Sequence, residues 1–208
     1  MGQSMDDIYV SHQTLVGQEA PDFTAKACVG NDIVDYTLSK AGWDDDKYTV
    51  LFFYPKDFTF VCPTEIIAFS DAVAKFEERN VQVVGVSVDN EHCKYAWKQV
   101  PRNEGGLGAI DYPLVADVTR EISEDYGVLS DGGVAFRGLF LIDSNGIVRH
   151  ALVNDMPLGR SVEECLRMVD ALQFHEQHGE VCPANWTPGG ATIKANQNDA
   201  KEYFAQAN

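Results

Sequence analysis

The run Thr49-Val50-Leu51-Phe52-Phe53-Tyr54-Pro55-Lys56-Asp57-Phe58-Thr59-Phe60-Val61-Cys62-Pro63-Thr64-Glu65 governs the reading of this chain. Its first six residues are short, β-branched or aromatic, and apolar, the pattern of a buried strand. Over 64–79 the residues Ile66, Phe69, Val73 and Phe76 recur at helical spacing, and Asn80 suits a helix stop. A strand therefore feeds a helix, and in open α/β sheets reacting groups gather at the carboxyl ends of strands. Pro63 fits the first helical position, where a missing N–H forfeits no bond, and this sets Cys62 at the N-cap. Unpaired backbone N–H groups and the positive end of the helix dipole favour an anion there. The thiolate is the nucleophilic form of cysteine.

Outward from this segment the alternation continues. Residues 81–88 read as a strand, followed by a helix through Tyr95 and Trp97, a short strand at 113–116 and a helix near 118–126. Residues 134–143 and 147–153 flank Ser144-Asn145-Gly146 and read as a hairpin, Asn-Gly being a strong turn signal. A long helix over 161–178 places Val162, Cys165, Leu166, Val169 and Leu172 on one stripe. After Gly179 the run Cys182-Pro183-Ala184-Asn185-Trp186-Thr187-Pro188-Gly189-Gly190 is rich in helix and strand breakers. The pattern implies an α/β layered fold suited to a thioredoxin-like sheet, with one domain over 1–178 and an extended C-terminal arm over 179–208.

The length of 208 residues is enough for one substantial core. A formal net charge of −16 disfavours nucleic acid and anionic membrane surfaces as partners. No apolar run reaches the roughly 20 residues a membrane span needs. The first nine residues lack a basic and then apolar leader pattern, so a cytoplasmic location is expected; position 6 is an aspartate where a myristoylation site starting at Gly2 needs Ser or Thr, and Met5 is a plausible native start. Five cysteines occur, Cys28, Cys62, Cys93, Cys165 and Cys182, with no CxxC pair. That argues against a CxxC redox motif or CxxC zinc site and for free thiols in a reducing compartment. No metal or other cofactor is expected.

Around Cys62 three residues have two readings each. Thr59 can donate to a thiolate while accepting from a substrate O–H, or simply stabilise a turn. Pro55 can shield a pocket from water, or simply end a strand. Arg137, within the apolar run Val134-Ala135-Phe136-Arg137-Gly138-Leu139-Phe140-Leu141-Ile142, either stabilises a thiolate or covers apolar surface with its stem. Cys28, in an early strand region, and Cys93 and Cys165, in helical segments, read as packing or surface thiols, His175 and His178 as dipole-compensating residues, and Asp44-Asp45-Asp46 as a solvated turn.

Pro55-x-x-x-Thr59-x-x-Cys62 and its flanks resemble the active-site signature of peroxiredoxins of the typical 2-Cys branch, which includes the peroxidase component of bacterial alkyl hydroperoxide reductase. Gly179-Glu180-Val181-Cys182-Pro183-Ala184 resembles that branch's resolving-cysteine motif. Ala20-Pro21-Asp22-Phe23, Arg137-Gly138-Leu139-Phe140 and Gly159-Arg160-Ser161 extend the likeness from about Leu15 to Phe204. The resemblance implies a peroxidatic Cys62 and a resolving Cys182 from a partner subunit. It implies peroxide binding by Pro55, Thr59 and Arg137, orientation of Arg137 by Glu65 and Arg160, a homodimer often joined into a ring of dimers, and reduction by a thioredoxin-like or flavoprotein partner. Gly105-Gly106-Leu107-Gly108 with Tyr203-Phe204 resembles a pair of segments that sensitises members to over-oxidation, although Ala109 stands where Pro is common. Two other function classes are weighed: an oligomeric holdase, which would keep anti-aggregation activity in Cys62→Ser, and a generic disulfide oxidoreductase, disfavoured by the lack of CxxC.

Overall fold

The computed structural model describes residues 14–207, so the readings made for Gly2 and Met5 lie outside the described residues. The element order is β1 (Thr24–Val29), β2 (Asp32–Thr37), α1 (Leu38–Ala41), β3 (Tyr48–Phe53), α2 (Cys62–Asp71), α3 (Val73–Glu77), β4 (Val81–Ser87), α4 (Glu91–Gln99), β5 (Leu114–Ala116), α5 (Glu121–Asp125), β6 (Arg137–Ile142), β7 (Val148–Asn154), α6 (Val162–His178) and α7 (Ala200–Ala207). The strands form one seven-stranded sheet in the order β2-β1-β5-β4-β3-β6-β7. The pairs β3/β4 and β4/β5 are parallel, and the flanking pairs antiparallel.

β3 shows how the layers form. Val50 and Phe52, followed by Tyr54, face a core built with Ile66, Phe69, Trp97 and Leu166, while Leu51 and Phe53 face a second core with Val84, Tyr126 and Phe140. Side chains alternate between the two faces of a strand, so a strand with helices on both sides is apolar at every position. Cys62 belongs to the first of these cores.

Four features depart from the sequence reading. The helix expected over 64–79 breaks at Ala72 (φ −101°, ψ 2°) into α2 and α3. Helical backbone begins earlier than expected: Val61 already has φ −80° and ψ −38°, and its carbonyl accepts from Thr64 and Glu65. Cys62 is thus the first residue of α2 and not its N-cap, with Pro63 second. The early strand read around Cys28 is β1, but its hairpin partner has no counterpart in the sequence reading, because β2 is an outer strand whose first four residues are exposed. Finally, the segment after Gly179 is not irregular throughout: Val181 bridges to Ile193, and α7 ends it.

Candidate active site

The site is assembled where β3 stops. Tyr54 and Pro55 are buried, residues 56–61 turn across the end of the sheet, and Cys62 opens α2 with no exposed surface. β6 lies antiparallel beside β3, with Phe52 opposite Leu139, and this brings its first residue, Arg137, to the same end. Arg137 is buried, with Nη1 3.5 Å from Cys62 Sγ. The same nitrogen donates to Glu65 Oε2 at 2.6 Å, and Nε donates to the Met156 carbonyl at 2.6 Å.

Glu65 sits one turn after Cys62 on α2 and is itself buried. It accepts from both guanidiniums. Arg160 donates to it through Nε (2.8 Å), Nη2 (2.9 Å) and its backbone N–H (2.9 Å). Arg160 Nη1 also donates to the Phe53 carbonyl at 2.7 Å and the Gly138 carbonyl at 2.6 Å, tying the ends of β3 and β6 together. Buried charges are tolerated when paired and hydrogen-bonded. Two guanidiniums against one carboxylate leave a surplus unit of positive charge, and the sulfur of Cys62 is the group beside it. An anionic sulfur completes the cluster's neutrality.

Thr59 does not donate to the sulfur. Its hydroxyl donates to the Lys56 carbonyl at 2.9 Å, the turn-stabilising role. A hydroxyl oxygen in that arrangement still has lone pairs to accept a substrate proton. Phe58 and Phe60 stand at the rim, Phe60 almost wholly exposed.

Cys182 lies elsewhere, half-buried against α6, with its thiol donating to the Ala171 carbonyl at 3.6 Å. Burial raises its pKa against the opposing charge of Arg167. The arm around it is docked by Trp186, whose ring packs on Phe174 and whose carbonyl accepts from Arg167 Nη1 at 3.1 Å. Cys62 and Cys182 are both free thiols in this chain.

The glycine segment has physical reasons for its residues. Gly105 (φ 82°) and Gly108 (φ 63°) are in the left-handed region, and a Cβ at Gly106 would lie 2.0 Å from the Val100 carbonyl oxygen. Leu107 between them is fully buried. Tyr203 and Phe204 pack edge to face on α7, with Phe204 also lining a hollow made by residues 193–201 of its own arm.

Family models match two stretches of the chain: that of the AhpC/TSA family matches residues 16–151, and that of the C-terminal domain of 1-Cys peroxiredoxin matches residues 171–206. The chain belongs to the peroxiredoxins of the AhpC/TSA family. Peroxiredoxin-2 of Bos taurus is 56% identical over 194 residues, 93% of this chain and 96% of that protein. The mitochondrial thioredoxin-dependent peroxide reductase of Homo sapiens is 54% identical over 200 residues, 95% of this chain and 76% of that protein. The reduced 2-Cys peroxiredoxin of Plasmodium vivax superposes with a TM-score of 0.90 at 47% identity, covering 93% of this chain and all (100%) of that one. This peroxiredoxin is a thiol peroxidase with the thioredoxin-like fold of its relatives.

Three contributors to the peroxiredoxin site had no sequence signal. The carbonyls of Met156, Phe53 and Gly138 orient the two arginines, and backbone acceptors are independent of residue type. Among the described residues there is no group of His, Cys, Asp or Glu arranged to hold a metal, and no helix long and apolar enough to cross a membrane.

Proposed function

We propose that Cys62 is the peroxidatic cysteine of this peroxiredoxin and that Cys182, from a partner subunit, resolves it. The observation that carries the reading is Arg137 Nη1 at 3.5 Å from Cys62 Sγ, inside a buried cluster whose charge a thiolate completes. The thiolate attacks one peroxide oxygen. An S–O bond forms as the O–O bond breaks, and the second oxygen leaves with the electron pair, taking a proton to become water or an alcohol. Cys62 is left as a sulfenic acid. Arg137 stabilises charge on the sulfur and on the leaving oxygen. Thr59 accepts the substrate O–H, and Pro55, having no N–H, keeps that wall of the pocket dry.

The sulfenic acid then condenses with the thiolate of Cys182: an S–S bond forms, the S–O bond breaks, and hydroxide leaves to become water. A disulfide needs Cα atoms within about 7 Å. With Cys62 sealed in the first turn of α2 and Cys182 packed on α6, one of these segments has to unfold locally first. The homodimer is supported by β7, an outer strand of the sheet that leaves Val153 exposed. A ring of such dimers, a thioredoxin-like or flavoprotein reductant and a cytoplasmic location complete the proposal; the last is supported by five free thiols.

Non-reducing electrophoresis after one equivalent of H2O2 tests the assignment. A reducible dimer is expected, absent in both Cys62→Ser and Cys182→Ser. A dimer that persists in either variant would overturn that cysteine's role.

A further inference from the structure

Residues 55–61, which carry Thr59 up to Cys62, are held from outside by α4. Lys94 on that helix is completely buried, a rare place for an ammonium group. Its Nζ donates to Ser87 Oγ at 2.5 Å and to the Tyr54 hydroxyl at 3.1 Å, and lies 3.5 Å from Asp57 Oδ1. The Tyr54 hydroxyl donates to Asp57 Oδ1 at 2.8 Å, while the Asp57 backbone N–H donates to Asp89 Oδ2 at 2.7 Å. The other carboxylate oxygen, Oδ2, is buried with no hydrogen-bond partner among the described residues. Asp57 Oδ1 also accepts from Ser87 Oγ at 3.2 Å, so Lys94 holds Asp57 inward both by its charge and through the Tyr54 and Ser87 hydroxyls to which it donates.

One turn further along α4, the Trp97 ring lies 5.4 Å from the ring of Phe58. Phe58 has φ 54°, a left-handed conformation that a bulky residue keeps only when its surroundings impose it. Trp97 in turn donates from Nε1 to the Gly105 carbonyl at 2.9 Å. Asp57 and the strained Phe58 next to it are thus both contacted from one helix face, by Lys94 and Trp97, and Thr59 follows them in the same turn, bonded to the Lys56 carbonyl. A buried ion pair is a poor source of stability, because desolvation offsets much of the attraction. What such a pair does supply is a single register.

We infer that Lys94 is a positioning residue for peroxide reduction: acting through Asp57, it fixes the turn that sets the Thr59 hydroxyl against the Cys62 sulfur, so that both address one substrate molecule. The inference rests on the reading of Cys62 as the peroxidatic cysteine. Lys94 touches neither the sulfur cluster of Glu65, Arg137 and Arg160 nor the substrate. Its loss should therefore misalign the peroxide without changing the sulfur's intrinsic reactivity.

The test is Lys94→Met, which keeps the length and removes the charge. Two rates are measured on Cys62 in the full chain: oxidation by H2O2 and alkylation by iodoacetamide, which needs the thiolate but no alignment by Thr59. Oxidation is expected to fall about tenfold or more, since small displacements of positioned groups are that costly, while alkylation stays within about twofold of wild type. An unchanged oxidation rate, or an equal fall in both rates, would overturn the inference. Should the single variant fail to fold with Asp57 left uncompensated, Lys94→Met with Asp57→Asn removes both charges, and the same split between the rates is required. A failure of the peroxidase reading itself would appear separately, as a wild-type Cys62 no more reactive to peroxide than free cysteine.

Discussion

Glu65 Oε2 accepts from Arg137 Nη1 at 2.6 Å, and the same nitrogen is the one facing Cys62 Sγ. The carboxylate on α2 thus aims the guanidinium at a sulfur borne one turn earlier on the same helix. Glu65→Gln keeps the shape but removes the negative charge that the two arginines share. Breaking a buried pair in this way costs about 3–5 kcal/mol, to be read by urea denaturation, and peroxide reduction should fall roughly 100-fold. Wild-type stability together with a wild-type rate would show that the arginines need no such anchor.

Arg137→Lys separates charge from geometry. A lysine retains the cation but not the planar fork that now reaches the Met156 carbonyl and Glu65 together. The oxidation rate of Cys62 by H2O2, followed by stopped-flow fluorescence, is expected to fall about 10- to 100-fold. Full retention would mean that a point charge suffices.

Cys93 and Cys165 should stay silent where Cys62 reacts. Burial, then the Asp57 and Asp89 carboxylates, push the Cys93 thiol up to about 11. Burial pushes Cys165 to about 12, against the opposing charge of Arg160. Both native thiols keep their protons above the 9.0 of an unperturbed thiol, so between 9.0 and about 11 the unfolded chain binds fewer protons than the native one. These groups therefore contribute stability that is complete below 9.0 and is lost as pH rises through that window. Alkylation at neutral pH, mapped by mass spectrometry, should leave Cys93 and Cys165 unmodified. Urea midpoints should hold up to about pH 9 and drop between about pH 9 and about pH 11. Early labelling of Cys93 at neutral pH would contradict its raised value.

The likeness of Tyr203 and Phe204 to an over-oxidation-sensitising segment gives a prediction for α7. If docking of the arm that carries Tyr203 and Phe204 slows release of Cys182, the sulfenic acid waits longer and meets a second peroxide. Sulfinic Cys62 is expected to accumulate at millimolar peroxide, and to accumulate less in a chain ending at Asp199. Mass spectrometry of the Cys62 peptide across a peroxide titration measures both. Equal sulfinic fractions in the two chains would free α7 of any such part.

What was legible in the sequence follows from how local each cause is. The strand at 48–53 and the start of α2 are written in residue types that bury on both faces and in the proline that follows Cys62. Arg137 stands out because a cation in an apolar run needs a partner, and Glu65 and Arg160 come with the family resemblance. The strand at Cys28 is read but not its partner, since Asp32 and Asp35 are exposed on β2 and no periodic apolar signal remains there. The break at Ala72 leaves no trace either, as alanine favours helix and the helical spacing of Val73 and Phe76 continues past it. Lys94 is invisible for a different reason. A lysine in a short polar helix reads as solvated, and only the fold reveals that Asp57 and Tyr54 wait for it inside. Thr59 carries two readings, and its bond to the Lys56 carbonyl accounts for the turn-stabilising one while leaving the hydroxyl oxygen able to accept a substrate proton for the other.

The most direct measurement is the second-order rate of Cys62 oxidation by H2O2 at neutral pH, in the wild type and in Arg137→Lys, beside free cysteine. The wild-type sulfur should react about a thousandfold or more faster than free cysteine, with much of that advantage lost in the variant. A wild-type rate equal to that of free cysteine, and indifferent to Arg137, would contradict the assignment of Cys62 as the reacting group.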